Sequence, residues 1–272
     1  MELFNRMFAE KILRFHEGTN KVLRAMMKMP FLKSHVHESV FDKENVKARM
    51  WIGALSQLVE VILEFIRKLL YVALLIYVPY LLISQICPLV RLHQELAIVY
   101  MFFMMSLVCG SLANNTLLAM GDRDYLMIKV MMLSPYMNFL GRLAYKMFTE
   151  FIYYSIILTI FGVHPVHAML LSLATSCARP IGEMAAIICF DHMKSLYNSR
   201  NTYNGMIMAV CVLLAYGLPI LNRRISYGWE FAFHPMFVVI MIAAGTGAVY
   251  YLWCYPHYRT IMREAMHIKR ED

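Results

Sequence analysis

"LAIVYMFFMMSLVCGSLANNTLLAM" (Leu96–Met120) carries no charged residue from end to end. Crossing the hydrocarbon layer of a bilayer as a helix takes roughly 20 consecutive apolar residues, and this stretch meets the requirement. Similar blocks cover about Leu69–Val90, Val166–Phe190, Gly205–Leu221 and Met236–Tyr255, and a sixth, about Arg142–Phe161, enters the apolar layer near Phe148. The chain has 272 residues, 60% of them hydrophobic and only 16% charged, where a soluble chain carries about 25% charged residues. Open sheets leave backbone groups unsatisfied in lipid, so the spans should be helices. The expected fold is all-α: a polytopic membrane protein with six transmembrane helices.

The flanking segments divide the rest of the chain. Residues 1–68 read as a cytoplasmic amphipathic arm, with Phe4, Met7, Phe8, Ile12 and Phe15 at helical spacing and Arg6, Lys11 and Arg14 on the basic side. Such a helix suits either an anionic membrane surface or a protein surface. Pro30 breaks it, and a second amphipathic helix follows, its apolar face drawn from Trp51, Ile52, Leu55, Leu58, Ile62 and Ile66. Arg67 and Lys68 then mark the membrane interface, and span one begins at Leu69. No signal peptide is expected, because the first long apolar stretch starts only there. Residues 69–255 form the transmembrane domain, interrupted by a cytoplasmic segment at 121–147, and 256–272 form a basic tail.

Charge placement sets the orientation. With the N-terminus inside, Lys and Arg number 12 in residues 1–68, 4 in 121–147, 2 in 191–203 and 4 in the tail. The outer loops hold only Arg91, Arg223 and Arg224. Cytoplasmic loops concentrate Lys and Arg, so both termini are expected in the cytoplasm, as is 121–147. The formal charge of +8 therefore follows membrane topology and forms no compact basic domain of the kind that binds nucleic acid.

Reactive motifs are scarce. Nothing matches GxxxxGK[ST], so no phosphate-cradling loop for ATP is present, and HExxH and GxSxG are also missing. The six cysteines form no metal-ligand spacing and read as small buried hydrophobes. His164, His167, His192 and His234 fall near span ends, where interfacial solvation accounts for them. No catalytic residue, metal site or cofactor is expected. Asn114 and Asn115, low in span two, read as helix–helix hydrogen-bonding groups, and the 24 methionines as pliable core and lipid-facing filler.

Arg179 and Glu183, in "SCARPIGEMAA" near the middle of span four, differ from these. Each charge at that depth costs on the order of 2.5–3.5 kcal/mol. Four residues apart on one helix face, they are expected to pair with each other or to face a polar interior, as a structural lock or as part of a translocation path. Pro180 between them is expected to kink the helix and free a carbonyl. Glu183 reads as the one acid within the spans.

The cytoplasmic interruption is the longest departure from apolar character within the transmembrane domain. In "MGDRDYLMIKVMMLSPYMNFLGR" (120–142), Asp122 and Asp124 suit a helix N-terminus. Tyr125, Ile128 and Met132 form an apolar strip with Lys129 on another side, and Ser134–Tyr136 ends the helix. A bare linker needs about four residues. The extra length points to a short helix across the mouth of spans two and three, serving as a docking element for a soluble partner or as an interfacial anchor.

On these residues the chain resembles the permease subunits of ATP-binding-cassette exporters, in particular one six-span half of a Gram-positive group whose permeases contain two such halves. "VLRAMMKMPFLKSHVHESVF" (22–41), "NNTLLAMGDRDYLMIKVMMLSPYMNFLGRLAYKM" (114–147) and "CYPHYRTIMREA" (254–265) carry the likeness, which covers nearly the whole chain. The resemblance implies a transmembrane subunit of a bacterial plasma membrane whose ATPase partner, holding ATP and Mg, docks from the cytoplasm. The helix before span one would be the connecting helix and residues about 122–138 the coupling helix, with Asp122, Asp124, Tyr125, Lys129 and Tyr136 as contacts. Asn114, Asn115, Arg179 and Glu183 would belong to the translocation path or the intramembrane polar set. The second half would come from a homologous subunit or a second copy, unless the chain is a truncated piece. The alternative is a membrane-embedded enzyme or assembly scaffold that gathers Arg179, Glu183, Asp191 and His192 at the cytoplasmic mouth.

Overall fold

The structure is a computed structural model and describes residues 46–113, 135–192, 200–222 and 227–258. Among them all regular structure is helical. The chain divides into two compact units, Met1–Lys68 and Leu69–Asp272. Asn114, Asn115, Asp122, Asp124, Tyr125 and Lys129 lie outside the described residues, as does the basic amphipathic stretch before residue 46.

The first helix is longer than its charges lead one to expect. α1 (Val46–Val72) passes through Arg67 and Lys68 into a π-helical turn, π1 (Ala73–Tyr77), and then into α2 (Val78–Ile86). The expected boundary at Lys68 is not a break in the helix. Lys68 Nζ lies 3.4 Å from Glu64 Oε1 on the preceding turn, so the pair is accommodated along the helix surface and the backbone bonds continue. A short α3 (Pro88–Leu92) takes up what read as the end of span one.

The second long helix is α4 (Gln94–Phe102), π2 (Phe103–Cys109) and α5 (Gly110–Ala113) without a gap. It is the most buried of the apolar helices, with Ala97, Ile98, Val99, Met101 and Phe102 fully enclosed. Next come α6 (Pro135–Ile160) and α7 (Pro165–His192). The third interrupted helix comprises α8 (Arg200–Val212), π3 (Leu213–Gly217) and α9 (Leu218–Asn222). A 3₁₀ turn (Tyr227–Phe233) and α10 (Pro235–Cys254) complete the described chain.

α6 and α7 form a tight antiparallel hairpin. Gly162 adopts φ 92°, a left-handed conformation that glycine reaches without Cβ strain. The amide of Gly162 donates to Thr159 O and that of Val163 to Leu158 O, both at 3.1 Å, which caps the last carbonyls of α6. Glu95 clasps the turn from the second helix: its Oε1 accepts the His164 amide at 2.9 Å and lies 2.8 Å from His167 Nδ1. His234 caps α10, its Nδ1 accepting the Met236 amide. The imidazoles of His167 and His234 thus have specific partners, as does that of His192, whose Nδ1 lies 3.1 Å from Ile188 O, beyond the solvation expected of span ends.

α7 is the hub, packing against α6, α10 and the second helix. Its sequence explains this. Ser172, Ala174, Thr175, Ser176 and Ala178 are small and buried, so neighbouring backbones approach closely. Hydroxyls join the hairpin, Ser155 Oγ to Ser172 Oγ at 2.6 Å and Ser176 Oγ donating to Met147 O at 3.0 Å. A Cβ on Gly182 would lie 2.0 Å from Ser111 O, and one on Gly245 of α10 would lie 2.9 Å from Cys177 O. Both helix crossings therefore require glycine.

Among the described residues, four helices are long and apolar enough to cross a membrane: Gly53–Ile86, Gln94–Ala113, Thr202–Leu221 and Pro235–Cys254. Large apolar side chains such as Leu82, Leu213 and Val239 point outward and stay exposed, as lipid-facing side chains do. The outside of the molecule is thus greasier than water tolerates, the pattern of an integral membrane protein. α6 and α7, expected as spans three and four, are less apolar because they carry the internal charges.

Candidate functional site: a buried arginine fork between two helices

Within the hairpin, Glu150 and Arg179 meet. Arg179 Nε donates to Glu150 Oε2 at 2.5 Å and Arg179 Nη2 to Glu150 Oε1 at 2.7 Å, a two-pronged fork. The remaining prong, Nη1, donates to the Gly110 carbonyl where the second helix passes. Arg179 is 5% exposed, Glu150 3% and Glu183 2%. Parallel charge-assisted bonds of this kind are the strong class, and they offset the desolvation of two ions in an apolar interior.

This geometry corrects the sequence reading twice. Arg179 takes its carboxylate from α6, and Glu183 is not the only buried acid, since Glu150 is buried as well. The reason lies in the hairpin register. Glu150 lies 11 residues before the turn at 161–164 and Arg179 15 residues after it, so antiparallel packing leaves them within about one helical turn of each other, an offset their long side chains span. Glu150 was visible within the expected span three, and counting from the turn residues "GVHP" (Gly162–Pro165) could have found the pair. Glu183 remains close enough for its charge to act on the guanidinium, as does the phenol of Tyr154 on α6. α7 runs through Pro180 as one helix to His192.

The other end of the hairpin holds the one coupling candidate that is described. Tyr136, in the first turn of α6, donates its hydroxyl to Trp253 O at 3.2 Å. Its ring meets Trp253 edge-on at 5.9 Å and lies 5.1 Å from the Tyr258 ring. Phe139 and Tyr255 also pack on Tyr258, and Tyr255 donates to Asp191 Oδ1 at 2.8 Å. The fold therefore ties Asp191 to the exit of α10 and does not gather it with Arg179. Burial pushes the Tyr258 phenol well above its ordinary range, with Tyr136, Tyr255 and the Glu183 charge adding to the effect. Burial raises Tyr255 likewise, reinforced by its bond to Asp191.

The arrangement is a closed charge pair, with all three faces of the guanidinium engaged. Among the described residues no group of His, Cys, Asp or Glu is placed to hold a metal ion, and all six cysteines are free thiols. No protein-family model, curated protein or solved structure matches the chain.

Proposed function

We propose that the chain is the transmembrane permease subunit of an ATP-driven exporter, built from six spans with both termini in the cytoplasm. A peptide, lipid or drug-like substrate would cross through it, while a separate ATP-binding-cassette ATPase docks on residues about 122–138 and hydrolyses ATP. A second permease half would complete the pathway. α6 and α7 supply the two further spans, their mid-helix charges neutralised against each other and turned away from lipid.

One observation carries the reading. Two of the sequence segments that resemble such permeases, the interruption at 114–147 and the exit at 254–265, are far apart in the chain but meet where Tyr136 packs on Trp253 and Tyr258. The foot of the coupling segment is therefore seated on aromatic rings, and a push from below would pass into α6 and α10 together. An enzymatic role for Arg179 finds less support, because each of its three nitrogens already donates to Glu150 or Gly110.

The test is gentle purification from the native membrane, with the co-purifying proteins identified by mass spectrometry. A stoichiometric ATPase is expected, lost in the triple variant Asp122→Lys, Asp124→Lys, Lys129→Glu. Recovery of the protein alone, or with biosynthetic enzymes and no ATPase, would overturn the reading.

A further inference from the structure

π1, π2 and π3 lie in three different helices, yet hydrogen bonds place them at one level. Tyr71, two residues ahead of π1, donates its hydroxyl to Met105 O in π2 at 3.1 Å, and Ser106 Oγ donates back to Tyr71 Oη at 3.3 Å. Tyr100, just ahead of π2, donates to Leu214 O in π3 at 2.5 Å. Tyr216, within π3, donates to Leu75 O in π1. Each of the three helices thus gives one tyrosine hydroxyl and receives one on its π turn, so the bonds close into a ring.

A π turn is uncommon and costs regular helix geometry. In an apolar interior its displaced carbonyls can be satisfied only by protein groups. Here one carbonyl on each π turn receives a phenol from a neighbouring helix, and on Met105 O that phenol adds to the Gly110 amide, so each π turn is tied to its neighbour. The packing between π2 and π3 is correspondingly compliant, built from Met105, Cys109, Cys211 and Ala215, residues that tolerate small shifts. Returning one turn from π to α geometry would rotate the helix beyond it by about 100° and shift it by about 1.5 Å, withdrawing the carbonyl from its tyrosine.

We propose that the three π turns and their tyrosines form a coupled hinge, in which the helices containing residues 69–86, 94–113 and 200–222 change register together or not at all. The hinge is a two-state element inside the bundle, beside the Glu150–Arg179 pair, whose charges reach Tyr71. It rests on the membrane-embedded fold alone and does not require an ATPase partner.

Hydrogen–deuterium exchange on the full chain in lipid nanodiscs tests this. The single variants Tyr71→Phe, Tyr100→Phe and Tyr216→Phe each remove one hydroxyl. Each is expected to raise exchange about fivefold in segments 73–77, 103–109 and 213–217 alike, leaving 150–175 unchanged, while Tyr250→Phe on the exposed face changes none. A rise confined to the segment that lost its donor would overturn the coupling, as would no rise, or an equal rise in 150–175. Should a variant fail to insert, the wild-type protein still decides the matter. Under conditions where opening limits exchange, the three segments should open at one shared rate, and three distinct rates would overturn the proposal.

Discussion

Arg179 shows how much of a membrane protein's stability can rest on one side chain. Removing one partner of a buried pair strands the other charge, at a cost of about 3–5 kcal/mol. Glu150→Ala is therefore expected to lower the thermal midpoint in detergent sharply, whereas Glu150→Leu combined with Arg179→Met recovers most of it. Equal losses in the single and double variants would show that the pair is not the source. Arg179→Lys should behave like a deletion, since an ammonium cannot make the two-pronged contact. At the exit of α10 the effect of pH has a definite sign. Tyr255 and Tyr258 have folded-state values raised above the ordinary 10.0, burial being the largest cause in each. Their contribution to stability is fully present below pH 10 and is lost as pH climbs above it toward the folded values. Ultraviolet titration should find Tyr255 and Tyr258 among the phenols still protonated above pH 10 in the native protein, the signal of each identified by its loss in the Phe variant, and ionised once the protein is unfolded in detergent. Asp191→Asn should reduce the shift of Tyr255.

For the helices, what matters is where backbone meets backbone. Gly182 on α7 leaves no room for a methyl group, because the obstacle 2.0 Å away is the Ser111 carbonyl and not a movable side chain. Gly182→Ala is expected to separate α7 from the second helix, pull Arg179 off the Gly110 carbonyl, and lower the yield of folded protein. Gly247 on α10 has nothing within 4 Å of where its Cβ would sit. There Gly247→Ala should stabilise by about 0.5–1 kcal/mol, through reduced backbone freedom in the unfolded chain. Comparing the two thermal midpoints checks the pair. A neutral Gly182→Ala would mean that the crossing can open without penalty.

At the scale of the whole molecule, the α6–α7 hairpin decides how many times the chain crosses. In a six-span protein its turn at 161–164 faces outside, and 193–199 faces the cytoplasm with 121–134. A single cysteine replacing the exposed His164 in a cysteine-free background should then be labelled by an impermeant maleimide from outside. A cysteine within 193–199 should be labelled only after the membrane is opened. Protection of position 164 from outside would leave the four long apolar helices as the only crossings and remove the permease topology.

Composition and block length by themselves determined that this is a helical chain for a bilayer. Apolar runs such as Leu96–Met120 have one stable solution in lipid, and that outcome depends on local chemistry. The small residues of α7 and the "GVHP" turn were also legible, and with them the hairpin and, in retrospect, its Glu150–Arg179 register. Only the tertiary structure decided that Arg179 takes its partner from α6, that Tyr136 seats on the exit of α10, and that three tyrosines bridge three π turns. Sequence spacing describes neighbours on one helix, whereas these contacts depend on the relative depth and rotation of different helices. Those are set by close approaches at Gly182 and Gly245, which no single segment encodes.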